Sequence, residues 1–166
     1  MRRIIAVAFM GATAAVLAAC GSSGGGSGGA YAPAPAASNT AAPTSAGAGV
    51  AVATSKVGQI LVDGKGRTLY LFEADKGAVS SCTGACAAAW PPYTVTGTPQ
   101  AGAGVTGSLI ATTTRSDGTH EVTYNGHPLY YFVGDKIAGA TAGQGLSAFG
   151  AKWYVLAPNG NKIDND

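Results

Sequence analysis

Charge is scarce in this sequence. Ten basic and eight acidic residues among 166 put the charged fraction at 11%, against ~25% in ordinary soluble domains. Two of the ten cations, Arg2 and Arg3, precede everything else of interest, and without them eight bases face eight acids. A chain so balanced has no basic surface to offer a polyanion, so no nucleic-acid partner is expected. Cysteine is also scarce, with only Cys20, Cys82 and Cys86. There is no second pair for a structural zinc, no Cys-x-x-Cys of the thioredoxin kind, and no following histidine for covalent haem. Ser80, Ser81 and Ser108 lack any surrounding nucleophile motif, so no triad is expected, and the chain reads as a non-enzyme without a cofactor. Long amphipathic helical patterns are missing as well. The sole helical candidate is Cys86-Ala87-Ala88-Ala89, ended by Trp90-Pro91 because proline drives the residue before it out of the α region.

What is present begins with an address. Behind Met1-Arg2-Arg3 runs an apolar stretch from Ile4 to Ala19, with nothing more polar than Thr13. It is short for a span that must cross ~30 Å of hydrocarbon, and its basic flank makes it a secretory signal. The stretch ends in Leu17-Ala18-Ala19-Cys20, which resembles the lipobox of bacterial lipoproteins. That resemblance implies cleavage after residue 19 and a diacylglyceryl group on Cys20. Two acyl chains would make a durable anchor, since each buried methylene contributes ~0.8 kcal/mol and one chain alone is marginal. The expected location is extracytoplasmic, lipid-anchored to the bacterial cell membrane.

From Gly21 to about Val50 the chain is Gly, Ser, Ala, Pro, Thr and Asn, with Tyr31 its one aromatic and no charge. Such a composition cannot bury enough apolar area to fold, so residues 20–49 are expected to be a lipidated cysteine and a disordered tether. Its root-mean-square reach is roughly 30 Å.

Residues 50–166 are expected to form one β-rich domain of two repeats, about 50–100 and 105–158. Leu69-Tyr70-Leu71-Phe72-Glu73-Ala74-Asp75 returns as Leu129-Tyr130-Tyr131-Phe132-Val133-Gly134-Asp135. A strand-like segment and a glycine turn precede each copy, Ile60–Asp63 and Glu121–Tyr124, and a tryptophan follows each, Trp90 and Trp153. Asn125-Gly126 predicts a type I′ hairpin, and Asp117-Gly118 a similar turn one strand earlier. The expected strands are Val50–Ser55, Gln59–Asp63 and Thr68–Phe72 in one copy, and Ser108–Arg115, Thr119–Tyr124 and His127–Phe132 in the other. A fourth is expected near Tyr93–Thr96 and Lys152–Leu156. Alternation sends Tyr70 and Phe72 to one face and Leu69 and Leu71 to the other, both apolar, so these strands should be central and covered twice. The predicted class is all-β with a minor helix: duplicated four-stranded meander units in a pseudo-twofold sandwich or small barrel.

The Tyr-x-Phe-x-x-Asp pair at Tyr70/Phe72/Asp75 and Tyr130/Phe132/Asp135, with Cys82-Thr83-Gly84-Ala85-Cys86 and Trp90-Pro91-Pro92, resembles the bacterial secreted-repeat lipoproteins of unknown function. The resemblance covers roughly Val57 to Pro158 and implies no activity.

Several residues bear on chemistry. In an oxidising compartment Cys82 and Cys86 are expected to form a disulfide. Positions four apart in a helix hold Cβ atoms ~5–6 Å apart, too far for that bond, so Gly84 should break the helix between them. So small a loop adds only ~2 kcal/mol. A redox or metal-linked accessory role for the same pair, with His127, is the competing reading. His120 and His127 flank the Asn125-Gly126 hairpin and with Glu121 or Asp117 are weak candidates for a metal; a solvated hairpin is the reading adopted. Asp75 and Asp135 are expected to cap turns, although paired carboxylates also do acid/base work. Tyr93, Tyr131 and Tyr154 fall outside the best-matched positions and are the candidates for exposed ligand contact, for example with a wall glycan. The partners expected are the membrane through the lipid, and an envelope protein or wall glycan.

Overall fold

The computed structural model describes residues 48–165. The expected signal segment, Cys20 and all but the end of the tether lie outside the described residues. Among those described, strands dominate, with one short helix and one 3-10 turn. In the first repeat, β1 (Gly49–Ser55) and β2 (Gly58–Asp63) form an antiparallel hairpin, followed by β3 (Tyr70–Phe72), α1 (Ala85–Ala89), β4 (Thr94–Val95) and β5 (Gln100–Ala101). In the second, a 3-10 turn at Gly107–Leu109 leads into β6 (Ile110–Thr114), β7 (His120–Tyr124), β8 (His127–Pro128), β9 (Ser147–Ala148) and β10 (Ala151–Val155). The sheets run β2-β1-β5, β3-β10-β9 and β4-β7-β6 with β8 on β7, and none closes into a barrel.

The expected fourth strands exist, but each pairs with the other repeat. β4 lies antiparallel to β7, with Thr94 opposite Glu121, and β10 lies antiparallel to β3, with Trp153 opposite Phe72. The backbone repeats the exchange with matching bonds. Leu61 donates to Leu156 O at 3.0 Å and Val122 to Tyr93 O at 2.8 Å; Glu73 donates to Lys152 O at 3.1 Å and Val133 to Ala89 O at 3.2 Å. Between the halves, Tyr70 N donates to Tyr130 O at 2.8 Å and Tyr130 N returns a bond to Tyr70 O at 2.9 Å. A pseudo-twofold axis thus passes between these two tyrosines. The four-stranded units are therefore not self-contained meanders, because a strand's backbone groups take whichever partner the tertiary fold supplies.

Alternation along β3 places its side chains as the sequence predicts. Leu69 and Leu71 join Val50, Leu61, Val122, Leu129 and Leu156 in one buried cluster, and Tyr70 and Phe72 join Ile60, Val62, Trp90, Tyr130 and Trp153 in another. The second cluster is a stack of four rings. Trp90 and Trp153 lie face to face at 4.0 Å and 4°, Phe72 stacks outside Trp153 at 4.0 Å, and Phe132 outside Trp90 at 4.3 Å. Tyr70 meets Trp90 edge-on at 5.3 Å and Tyr130 meets Trp153 edge-on at 5.2 Å. Each repeat therefore contributes one Tyr, one Phe and one Trp to a single core. Gly143 completes it, because a Cβ there would sit 2.6 Å from the Trp90 ring.

The turns differ in detail. Asn125 and Gly126 both take positive φ, 50° and 79°, as a type I′ turn requires. At the earlier turn only Gly118 does, at 82°, and Arg115 N bonds Thr119 O across three residues. That hairpin is a type I turn with a glycine bulge rather than the second I′ turn expected, and the Asp117 carboxylate accepts Thr119 N at 2.9 Å to hold it.

Because β2 is completed by residues near Leu156 and β7 by Tyr93, neither repeat can satisfy its own ladder. Separate fragments 48–104 and 105–165 should each lack the near-ultraviolet circular dichroism of packed tryptophan, and mixing them should restore it. A native-like spectrum from either fragment alone would count against the exchange.

Candidate functional site

The repeated motif is used crosswise. Tyr70 OH donates to Asp135 Oδ2 at 2.7 Å, and Tyr130 OH donates to Asp75 Oδ2 at 2.7 Å. The other carboxylate oxygens do cap their own loops: Asp75 Oδ1 accepts Ser81 N and Oγ, both at 2.7 Å, and Asp135 Oδ1 accepts Ala142 N at 2.9 Å. Sequence reasoning found the caps and missed the cross-repeat bonds. The only trace of them was that Tyr and Asp recur at the same interval in both copies. Burial raises both phenols well above the ordinary tyrosine range, and the carboxylates they face add to it. Burial also raises Asp135, against the bonds from Tyr70 and Ala142.

Around Asp75 of the first repeat the second repeat supplies a buried polar pair, where the first has Ile60 at the position matching Glu121. Arg115, at the end of β6, and Glu121, in β7, are buried together, with Nη1 2.6 Å from Oε2. The same Nη1 donates to Ser80 Oγ at 2.5 Å, and Nη2 donates to Cys82 O at 2.6 Å. Ser80 and Tyr130 hydroxyls lie 2.7 Å apart. The proton of Tyr130 is committed to Asp75, so Ser80 donates to the phenol oxygen and the chain runs Arg115, Ser80, Tyr130, Asp75. The Ser80 hydroxyl also faces the Glu121 carboxylate. Glu121 Oε1 and Arg115 Nε have no hydrogen-bond partner among the described residues, although Asp117 Oδ2 lies 3.7 Å from Nε. Burial pushes the Glu121 carboxyl up to about 7, against the pull of Arg115.

The disulfide ties this loop. Cys82 and Cys86 are bonded, with Cα atoms 5.2 Å apart. Gly84 caps α1 at φ 55° and ψ −122°, a conformation that side chains disfavour, and leaves Cys82 outside the helix. Both cysteines are buried, at 0% and 7% exposure, so the bond fastens Ser80, Ser81 and the Cys82 carbonyl beside Trp90.

The histidines are not brought together. His120 stands opposite Thr114 and Val95, its Nδ1 3.3 Å from Thr114 Oγ1, whereas His127 stands opposite Tyr124. Glu121 is committed to Arg115 and Asp117 to its turn. Among the described residues no cluster of three metal-ligating side chains occurs.

The exposure expected of Tyr93 and Tyr154 is not found. They are 6% and 1% exposed and belong to the aliphatic cluster, because each sits on or beside a strand lent to the other repeat and is covered on both faces. Tyr93 OH donates to Gly49 O at 3.0 Å, and burial pushes it up to about 12, with the Asp63 charge adding to it. Tyr131 is half-buried, donates to Asp63 Oδ2 at 3.1 Å and carries the Arg67 guanidinium 3.9 Å above its ring. Asp63, itself buried, also accepts the Lys65 and Arg67 amides and the Arg67 side chain. Burial would raise its pKa, but these bonds outweigh it and hold it below the ordinary value.

Two surface recesses are related by the pseudo-twofold. One, about 440 Å³, is lined by Leu71, Phe72, Glu73, Asp75, His127 and Lys162. The other, about 330 Å³, has Tyr131, Phe132, Val133, Asp135 and Arg67 in the matching places, with Lys65, Lys136 and Ile137 at its edge.

A known family pattern falls on both halves of this arrangement, matching residues 51–94 and 111–157. The chain belongs to the family described as a secreted repeat of unknown function. Each match holds the first three strands of one repeat together with the segment lent to the other, so the unit of the family is one half of the interleaved pair. No curated protein and no solved structure matches the chain.

Two measurements test the cluster. Tyr70→Phe and Tyr130→Phe should each lower unfolding free energy by about 1–3 kcal/mol, the worth of a bond to a charged group, as read by denaturant melts. A carboxyl raised to about 7 from its usual 4.5 contributes its stability in full below 4.5 and loses it as pH climbs through 7. The melting temperature should therefore fall between pH 5 and 8 by the equivalent of roughly 1–3 kcal/mol. In Glu121→Gln that slope should flatten.

Proposed function

We propose that this secreted-repeat protein is lipid-anchored through Cys20 at the outer face of the cell membrane, where its interleaved domain has a non-enzymatic binding or structural role. The observation that carries the location is Leu17-Ala18-Ala19-Cys20 at the end of an apolar signal stretch. Family membership supports the extracytoplasmic side of it. The non-enzymatic reading is supported by how the repeated carboxylates are spent: each accepts a tyrosine and a backbone amide.

A redox role for Cys82 and Cys86 is the second reading, and their location beside the Arg115 cluster is what favours testing it. With both sulfurs shielded, thiol titration of the native protein should find no thiol after mild reductant that leaves exposed disulfides open. For the anchor, cells fed a labelled fatty acid should incorporate it into the wild type and not into Cys20→Ser, and the variant should leave the membrane fraction. A labelled, membrane-bound Cys20→Ser chain would rule the anchor out.

A further inference from the structure

The duplication supplies an internal comparison that isolates one surface. In the first-repeat recess, Lys162 bridges Glu73 and Asp164 at 2.8 Å each and lies 4.4 Å above the Tyr154 ring, so its charge is met within the protein. In the second-repeat recess the position of Glu73 is held by Val133 and that of Gly77 by Ile137, exposed by 47% and 77%. The motif aspartate there, Asp135, faces inward to Tyr70 and Ala142. Two cations that no described carboxylate meets, Lys65 and Lys136, flank these apolar tips, and a third, Arg67, is paired with Asp63. Arg67 is held in place by Asp63 and stacked on Tyr131, Lys136 Nζ donates to Val133 O at 2.7 Å, and no described residue takes up the Lys65 ammonium. Ala138 seats the loop on Gly66, and Gly139 N bonds Gly66 O at 2.9 Å, so loop and turn present one face. Ala48, where the described chain begins, lines the adjoining recess with Lys65, Arg67 and Tyr131.

We infer that this face docks on an anionic phospholipid bilayer, with headgroup phosphates against Lys65 and Lys136 and with Val133 and Ile137 at the acyl boundary. Exposed aliphatic tips flanked by cations are what an interface of that composition binds. A small soluble anion would satisfy the charges but leave Ile137 in water. The inference rests on the proposed anchor only in that a tethered domain meets the bilayer at high local concentration.

The full lipidated chain is reconstituted into vesicles of phosphatidylcholine, with or without phosphatidylglycerol, carrying an environment-sensitive fluorophore on Ile137→Cys or, as control, on Val79→Cys in the first-repeat loop. Phosphatidylglycerol should brighten and blue-shift the label at 137 and leave that at 79 unchanged. Lys65→Gln and Lys136→Gln should each lower the docked-to-free ratio roughly fivefold. Equal emission in both vesicle types, or an equal response at 79, overturns the proposal, as does a response to inorganic phosphate without vesicles, which would mark a small-anion site. Co-flotation with vesicles reads the anchor separately. Flotation without a response at 137 removes the docking alone, whereas a response at 137 without flotation on phosphatidylcholine removes the anchor and leaves the docking.

Discussion

Everything in this domain depends on the contact between Tyr70 and Tyr130. Their backbones exchange two hydrogen bonds, their hydroxyls reach the aspartate of the opposite repeat, and their rings close the edges of the Trp90–Trp153 stack. The rings supply the apolar area and the hydroxyl bonds supply direction, since a buried phenol needs an acceptor and the aspartate of the opposite repeat is the one each reaches. A shift of either repeat along β3 would break both bonds and move the indoles out of register. The motif that marks the family is thus the joint between copies, which explains why tyrosine and aspartate recur together without forming a catalytic pair.

Symmetry holds in the core and is broken around it. Glu121 occupies the place of Ile60 in the other copy, and with Arg115 it puts a buried ion pair where the first repeat has an aliphatic side chain. Such a pair stabilises little by itself, because desolvation offsets most of the attraction. What it adds is specificity, since Arg115 binds Ser80 and the Cys82 carbonyl and so selects one seating of the disulfide loop. The two recesses have diverged in a similar way, one bridged by Lys162 and the other left cationic and apolar.

What could be read from the sequence was local. Period-two alternation placed Leu69 and Leu71 apart from Tyr70 and Phe72, Asn125-Gly126 announced its turn, and Gly84 its break, because each depends on neighbouring residues alone. The exchange of β4 and β10 left no such trace. Partner choice among equivalent strands is a tertiary decision, and two repeats in one chain offer each strand two similar partners. Tyr93 and Tyr154 were misjudged for the same reason: they look peripheral within a repeat and become central once the repeats interlock. Arg115 and Glu121, separated by a turn and carrying opposite charge, look like a surface pair until the loop of Cys82 is laid over them.

The interleaving also fixes an order in time. Leu61 has no acceptor until Leu156 arrives, and Trp90 has no indole to lie against until Trp153 does. The first repeat must wait, open, while the second is made. Contacts this distant in sequence make for slow assembly, because the long loop between partners must be closed before either the ladder or the ring stack repays it.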